Sequence, residues 1–341
     1  MKILFNTYQY AFQNAGGGEI VLLKTKEYLE KRGHEVHLFD KWKHKIRDYD
    51  IVHDFSLLDW RAWDYYQAAG VPLVLTPTCW PAINFRARLS VRIKAFMRSL
   101  SYQSTHPETL YHHLRIPCKI TPTSYLEKNR ILKLYGSELK NKMTVIPNGI
   151  DRPNLETTTN SFQNKYGNSP YVLYVGSIAP NKNTQLAIKM AQACNIKIYL
   201  IGDASVGNKK YYEECLKLQN EKVQFLGRLP HDAQLLADAY RGAQVLLVPS
   251  HFETCSLVAL EAGAFGTNVV LTKHGGTKEI FKDYVYYVEP ADFQECCEQL
   301  TKALKETSKN TALQKFILEN YTWDKIVESL EQVYLSCKTN T

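Results

Sequence analysis

No apolar run in this chain approaches the roughly eighteen residues that a membrane-spanning helix needs, so no spanning segment is expected. The opening MKILFNTYQY lacks a long apolar h-region, and no secretory signal is expected either. There is no C-x-x-C pair and no His/Cys cluster of the kind that holds zinc. No internal repeat or low-complexity tract is seen and no targeting tail is expected; no RNA- or DNA-binding module pattern is seen either, so nucleic acid is not expected as a partner. The eight cysteines are Cys79, Cys118, Cys194, Cys215, Cys255, Cys296, Cys297 and Cys337, most of them in apolar runs. That placement fits buried, reduced thiols in a cytoplasmic protein better than disulfides or zinc.

What is present is a chain of 341 residues, 45% of them hydrophobic, which is more core than one domain usually carries. The net charge of +8 is unevenly placed. Residues 1–150 hold 22 Lys and Arg against 13 Asp and Glu, while the remainder is close to neutral. The first half is therefore the better match for an anionic partner.

Short apolar runs alternate with helical stretches almost throughout. KILFN, HEVHLF, DIVHDF, PLVLT and CKITPT read as strands of the first half, which MTVIPNGID closes. GGGE opens a helix, with Ile20, Leu23 and Leu29 on roughly one face. Residues 151–170 are polar and rich in turn formers, a linker signature. A second series follows: YVLYVGS, IKIYLIGD, VQFLG, QVLLVPS, NVVLT and YVYYV as strands, with helices near 183–194, 231–242, 256–265 and 292–306. The final stretch reads as a helix with Ile326, Leu330 and Val333 on one side. Repeated β–α–β pieces imply an α/β fold of two Rossmann-like domains, each with a parallel sheet, facing a cleft. The expected division is 1–150, a linker at 151–170, 171–315, and a terminal helical segment at 316–341.

The segment PSHFETCSLVALEAGAFG, 249–266, carries Glu253 and Glu261 eight positions apart. Ligands of parallel sheets bind beyond the carboxyl ends of strands, and QVLLVPS ends there. The amides of Thr254, Cys255, Ser256 and Leu257 fall at a helix start, which favours anionic oxygens. Eight helical residues rise about 12 Å, so the two carboxylates suit hydroxyls at opposite ends of a nucleotide-sugar. The spacing alone fits equally well a helix-dipole partner and a solvated helix residue.

This E-x7-E, the GGTKE loop at 275–279, IPNGID at 146–151, VGSIAPNKN at 175–183, LIGD at 200–203, FLGRLP at 225–230 and YTWDKI occur in an order that resembles the retaining GT-B glycosyltransferases of family 4. The resemblance implies a nucleoside-diphosphate sugar donor held by the second domain, an acceptor on the first, and a terminal helix that crosses back to the first domain. It implies that Glu253 faces the donor sugar, Glu261 binds ribose hydroxyls and Lys182 neutralises the diphosphate. Ser177 belongs to the phosphate loop, and Gly202 and Arg228 to the strand-end loops beside the base. The glycine cluster with Gly17 and Gly18 would lie on the phosphate side, although a plain flexible turn also accounts for it. A dinucleotide fingerprint is excluded there, because Asn6 to Gly16 is too long for the required turn.

The sequence also departs from the family. Ser177 stands where many members have arginine, while Phe55 and Thr78 stand where histidine is common. His53 remains as the acceptor-side candidate or as a core histidine at a strand end. Asp48-Tyr49-Asp50 has the form of a D-x-D metal motif, but short motifs match by accident. The resemblance implies a metal-independent reaction with no cofactor beyond the donor. The stretch 84–100, with Arg86, Arg88, Arg92, Lys94 and Arg98 and no acid, fits two roles. It is either a dock for an anionic membrane and a lipid-linked acceptor, or an ordinary amphipathic helix. The expected activity is hexosyl transfer with retention from a UDP- or GDP-sugar to a glycan or lipid-linked acceptor, in the cytoplasm or at the membrane surface. A nucleotide-sugar epimerase or hydrolase, and a non-catalytic nucleotide-sugar binding protein, are the alternatives.

Overall fold

A computed structural model of the chain describes residues 1–13, 16–58, 60–78, 110–156 and 159–338. The chain forms two compact units. One comprises residues 1–148 with the segment from Trp323 onward; the other is Gly149–Thr322.

The first unit is built on β1 (Lys2–Asn6), β2 (Glu35–Leu38), β3 (Ile51–Asp54), β4 (Leu73–Leu75) and β5 (Lys119–Ile120), in the order β2-β1-β3-β4-β5. All the pairings are parallel. The strands are apolar on both faces, as a sheet covered on both sides requires. Ile3 and Phe5 face one cluster with Val36, Ile51 and Val74. Leu4, Val52, Leu73 and Leu75 face the other, with Trp63 and Tyr66. The terminal helix Trp323–Lys338 buries Ile326, Leu330 and Val333 in the first of these clusters, on the side the sequence indicates. The helix Gly17–Lys31 meets the expected face only in part: Leu29 is buried, but Ile20 is only half-buried. Leu22, Thr25 and Leu29 are buried while Leu23 is exposed, because its inner stripe is set by packing against the sheet and the terminal helix rather than by its own apolar count.

The second unit contains β6 (Tyr171–Val175), β7 (Lys197–Ile201), β8 (Val223–Gly227), β9 (Val245–Val248), β10 (Asn268–Thr272) and β11 (Tyr286–Val288). Their order is β11-β10-β9-β6-β7-β8, again parallel throughout. The pleat again divides the strands. Leu173, Tyr199, Leu246 and Val269 enter one cluster; Val172, Ile198, Val245 and Val270 enter the other.

Several expectations change. The polar stretch at 151–170 is not all linker: Ser161–Tyr166 is a helix whose Phe162 is fully buried in the second unit. Asp238 anchors it, accepting from the Ser161 amide at 3.0 Å and the Ser161 hydroxyl at 2.7 Å. The segment 316–341 is not one helix either. Thr311–Asn320 places Leu313 and Ile317 in the second unit's core, and a new helix starts at Trp323 in the first unit. MTVIPNGID, which closes the first half, is irregular apart from isolated bridges between Met143 and Ile120 and between Ile150 and Thr322. The cysteines are not all reduced: Cys118 and Cys337 form a disulfide, with Cα atoms 6.0 Å apart, within the reach such a bond needs. Cys194, Cys215, Cys255, Cys296 and Cys297 are not disulfide-bonded. The basic stretch 84–100 and Cys79 lie outside the described residues. Among the described residues no helix is long and apolar enough to cross a membrane.

Candidate functional site

In the second unit the strand order places the loops after β10, β9, β6 and β7 side by side at the carboxyl edge of the sheet. These loops are stitched together by backbone. Gly176 N donates to Ile201 O at 3.0 Å, and Ile178 N to Asp203 O at 2.8 Å, joining the loops after β6 and β7. His251 N donates to Asn181 O at 3.0 Å, joining the loops after β9 and β6. At Gly202 the fit is so close that a Cβ would lie 1.9 Å from the Gly176 carbonyl oxygen. Only glycine allows such an approach.

Glu253 sits where these loops meet. Its side chain is nearly buried, and one oxygen, Oε1, accepts both the Ser250 hydroxyl at 2.6 Å and the Lys182 ammonium at 2.7 Å. Lys182 ends the short 3₁₀ turn Pro180–Lys182, and its side chain is about one-third exposed. The backbone of Glu253 is fixed from the other side: its amide donates to His274 O at 3.2 Å, and Gly276 N donates to its carbonyl at 3.0 Å. Three loops thus hold one carboxylate, and among the described residues a single cation, Lys182, is paired with it.

The helix that follows runs Leu257–Ala264, so Glu253 precedes it by four residues and the helical rise does not measure the distance to Glu261. Ser256, the N-cap, lies in the left-handed region at φ 58°, and its buried hydroxyl has no hydrogen-bond partner among the described residues. A non-glycine residue in that conformation is strained, and such strain is often found at ligand-binding sites. Cys255 is buried, whereas Thr254 and Leu257 are half-buried. Glu261 is mostly covered and both its oxygens are engaged: His231 Nε2 lies 2.7 Å from Oε1, and Tyr240 OH donates to Oε2 at 2.7 Å. Burial, then the Glu261 charge, pushes the Tyr240 phenol well above its ordinary pKa, so it stays a donor to that carboxylate. Ser177 is held through its backbone, its carbonyl accepting from Tyr174 OH at 2.9 Å. Arg228 follows β8 as an exposed residue.

Ser250, His231 and Tyr240 were not singled out from the sequence. Ser250 had a signal in the P-S that precedes the glutamate. Tyr240 sits in the helix Gln234–Gly242, and nothing local reveals that it faces Glu261.

The remaining candidates belong to the first unit. Gly17 and Gly18 open the helix Gly17–Lys31, with Gly16 as N-cap; the Gly16 amide donates to Glu19 Oε2 at 2.9 Å. His53 is a core residue. It is 1% exposed, its Nδ1 lies 2.6 Å from Tyr334 OH and its Nε2 2.8 Å from Thr76 Oγ1. Phe55 stacks on it at 4.1 Å. With both nitrogens occupied and burial pulling its pKa down to about 3, His53 is a neutral packing element, and the acceptor-side reading gains no support. The D-x-D motif is put to structural use: Asp50 accepts the Lys2 amide at 2.7 Å and the Lys338 ammonium at 2.8 Å. Among the described residues no group of three or more His, Cys, Asp or Glu is placed to hold a metal.

Residues 156–320, which contain every second-unit helix and strand just described, match the family model "Glycosyl transferases group 1". An uncharacterized glycosyltransferase of Methanocaldococcus jannaschii is 28% identical over 238 residues, 64% of this chain and 60% of that protein. A D-inositol 3-phosphate glycosyltransferase of Actinosynnema mirum is 25% identical over 319 residues, 86% of this chain and 73% of that protein. The chain spans about six-tenths of the length of the first curated relatives it matches. Among solved structures, HepE of Anabaena in complex with UDP superposes with a TM-score of 0.74 at 18% identity, covering 98% of this chain and 100% of that one. Sucrose-phosphate synthase from Thermosynechococcus elongatus superposes with a TM-score of 0.77 at 17% identity, covering 100% of both chains. At these identities the likeness establishes the fold, which is GT-B: two Rossmann-like units with parallel sheets.

Proposed function

We propose that this chain, a GT-B protein whose residues 156–320 match the glycosyl transferases group 1 model, is a family 4 glycosyltransferase. In this reading it moves a hexosyl unit from a nucleoside-diphosphate sugar to an acceptor hydroxyl with retention of configuration. The observation that carries the reading is the meeting of Lys182 and Glu253, 2.7 Å apart, at the carboxyl edge of the second sheet. That edge is where parallel sheets bind ligands, and the pair supplies a cation for phosphate beside a carboxylate for hydroxyls. Solved neighbours in complex with UDP and with UDP-glucose support the donor class.

In this reading Glu253 accepts hydroxyls of the donor sugar, and Glu261, presented by His231 and Tyr240, accepts those of the ribose. Lys182 and the amides from Thr254 to Leu257 face the diphosphate, where negative charge grows as the bond to the sugar breaks. The sugar C1–O bond to the phosphate cleaves and the acceptor oxygen bonds C1 on the same face. The acceptor's proton passes to the departing phosphate oxygen, so no covalent enzyme intermediate and no metal is required. The acceptor, a glycan or a lipid-linked sugar, belongs to the first unit in this scheme.

The test is a thermal-shift and calorimetric screen of UDP-, GDP- and ADP-sugars, followed by product analysis with and without added acceptor. A bound ligand raises the melting temperature by mass action. The expected result is saturable binding of one nucleotide-sugar and acceptor-dependent release of its diphosphate, unaffected by EDTA. Donor consumption independent of acceptor, or binding without turnover, would overturn the transferase assignment.

A further inference from the structure

We propose that the Lys182–Glu253 ion pair is a latch that tells an intact donor from the bare nucleoside diphosphate left after transfer, an inference that rests on the donor-site reading above. In this structure the two groups satisfy one another. Lys182 Nζ lies 2.7 Å from Glu253 Oε1, and Ser250 Oγ lies 2.6 Å from the same oxygen. Lys182 is one-third exposed, so it can swing away, whereas Glu253 is only 6% exposed and its backbone is clamped on both sides by the loop 274–276. The carboxylate therefore cannot follow the lysine.

A phosphate that draws Lys182 off leaves Glu253 as a buried anion whose Oε1 keeps only the neutral Ser250 hydroxyl. Breaking such a pair from one side carries a large penalty, because the remaining charge stays buried. An intact nucleotide-sugar relieves it, since its hydroxyls donate to the carboxylate at the moment the lysine turns to the phosphate. A bare diphosphate brings no such donors and adds negative charge nearby. The pair thus opposes the product and yields to the substrate. Ser250 acts as a positioning residue, holding Oε1 between the two partners.

The experiment measures calorimetric dissociation constants of UDP, GDP and ADP, and of their glucose conjugates, for the parent, E253Q, K182A and the double variant. Circular dichroism confirms the fold of each. In E253Q the lysine is released, and the diphosphate that binds the parent is expected to bind about tenfold more tightly, a change of about 1.4 kcal/mol. The ratio of donor to diphosphate affinity falls correspondingly. In the K182A background the same E253Q change is expected to give no gain, because no cation remains to release. Equal diphosphate affinity in the parent and E253Q, or a gain that survives in the K182A background, overturns the latch while leaving the donor site intact. Failure of all six ligands to bind the parent overturns the donor-site reading, and the latch with it.

Discussion

Gly275 lies against the main chain of Glu253 so closely that a Cβ at Gly275 would stand 1.8 Å from the Glu253 carbonyl oxygen. The two residues also form an isolated parallel bridge, and Gly275 adopts φ +97°, a region that side chains disfavour. The obstructing atom is backbone, so no rotamer change relieves the clash. Gly275→Ala is expected to cost about 1–3 kcal/mol, the range for overpacked sites, and to displace Glu253 from Lys182. Thermal unfolding with nucleotide-sugar calorimetry checks both effects. An unchanged melting temperature together with unchanged affinity would show that this approach does not fix the carboxylate.

His53 makes the first unit's stability depend on pH. Its folded pKa is pulled to about 3 by burial, while an unfolded histidine titrates near about 6.5. The unfolded chain therefore takes up the proton first. The neutral ring's contribution is complete above about pH 6.5 and is lost as pH falls toward 3, at about 1.4 kcal/mol per pH unit. Urea unfolding at pH 7.5 and pH 5.0 is expected to show a loss of about 2 kcal/mol from this residue, and His53→Asn is expected to lose that much less over the same interval. Parallel pH profiles for the parent and the variant would mean that the ring is not held neutral by the fold.

How much was legible in the sequence follows from where the information resides. The strands β6, β7, β9 and β10 are continuous apolar runs, because both faces of their sheet are covered, and such runs stand out from flanking turns. Motif order singles out Glu253, Glu261 and Lys182 as candidates, and two of them meet as an ion pair. The helix Ser161–Tyr166 was not legible. Its one fully buried side chain is Phe162, and the group that caps it, Asp238, is 77 positions from Ser161. The disulfide was equally hidden, since its cysteines are 219 positions apart. On Gly17–Lys31 the sequence does not separate Leu22, which is buried, from Leu23, which is exposed, since the two are chemically alike and only packing distinguishes them.

The Cys118–Cys337 disulfide fastens the last turn of the terminal helix to the segment that leads into β5. It closes a long stretch of sequence, so it restricts the unfolded chain substantially, and removing such a bond typically costs about 2–5 kcal/mol. Adding dithiothreitol is expected to lower the urea midpoint of the parent toward that of Cys337→Ser and to leave the variant unchanged. A parent midpoint insensitive to the reductant, with free thiol counts equal before and after, would show that the bond does not form in solution.

Glu261 and Glu253 are expected to fail differently. Glu261 accepts from His231 and Tyr240 and is assigned to the ribose, a part common to the donor and to the bare diphosphate. Glu261→Gln retains the shape but removes the charge, and charge-assisted hydrogen bonds are about twice as strong as neutral ones. It is expected to weaken a nucleotide-sugar and its diphosphate alike, by about tenfold, on the scale of about 1.4 kcal/mol. Tyr240→Phe removes one of the donors that orient the carboxylate and is expected to do the same to a smaller extent. Glu253→Gln, by contrast, separates the two ligands. Calorimetry on this panel decides the orientation of the bound molecule, because a Glu261→Gln defect confined to the sugar-bearing form would place that residue at the sugar end and reverse the assignment of the two carboxylates.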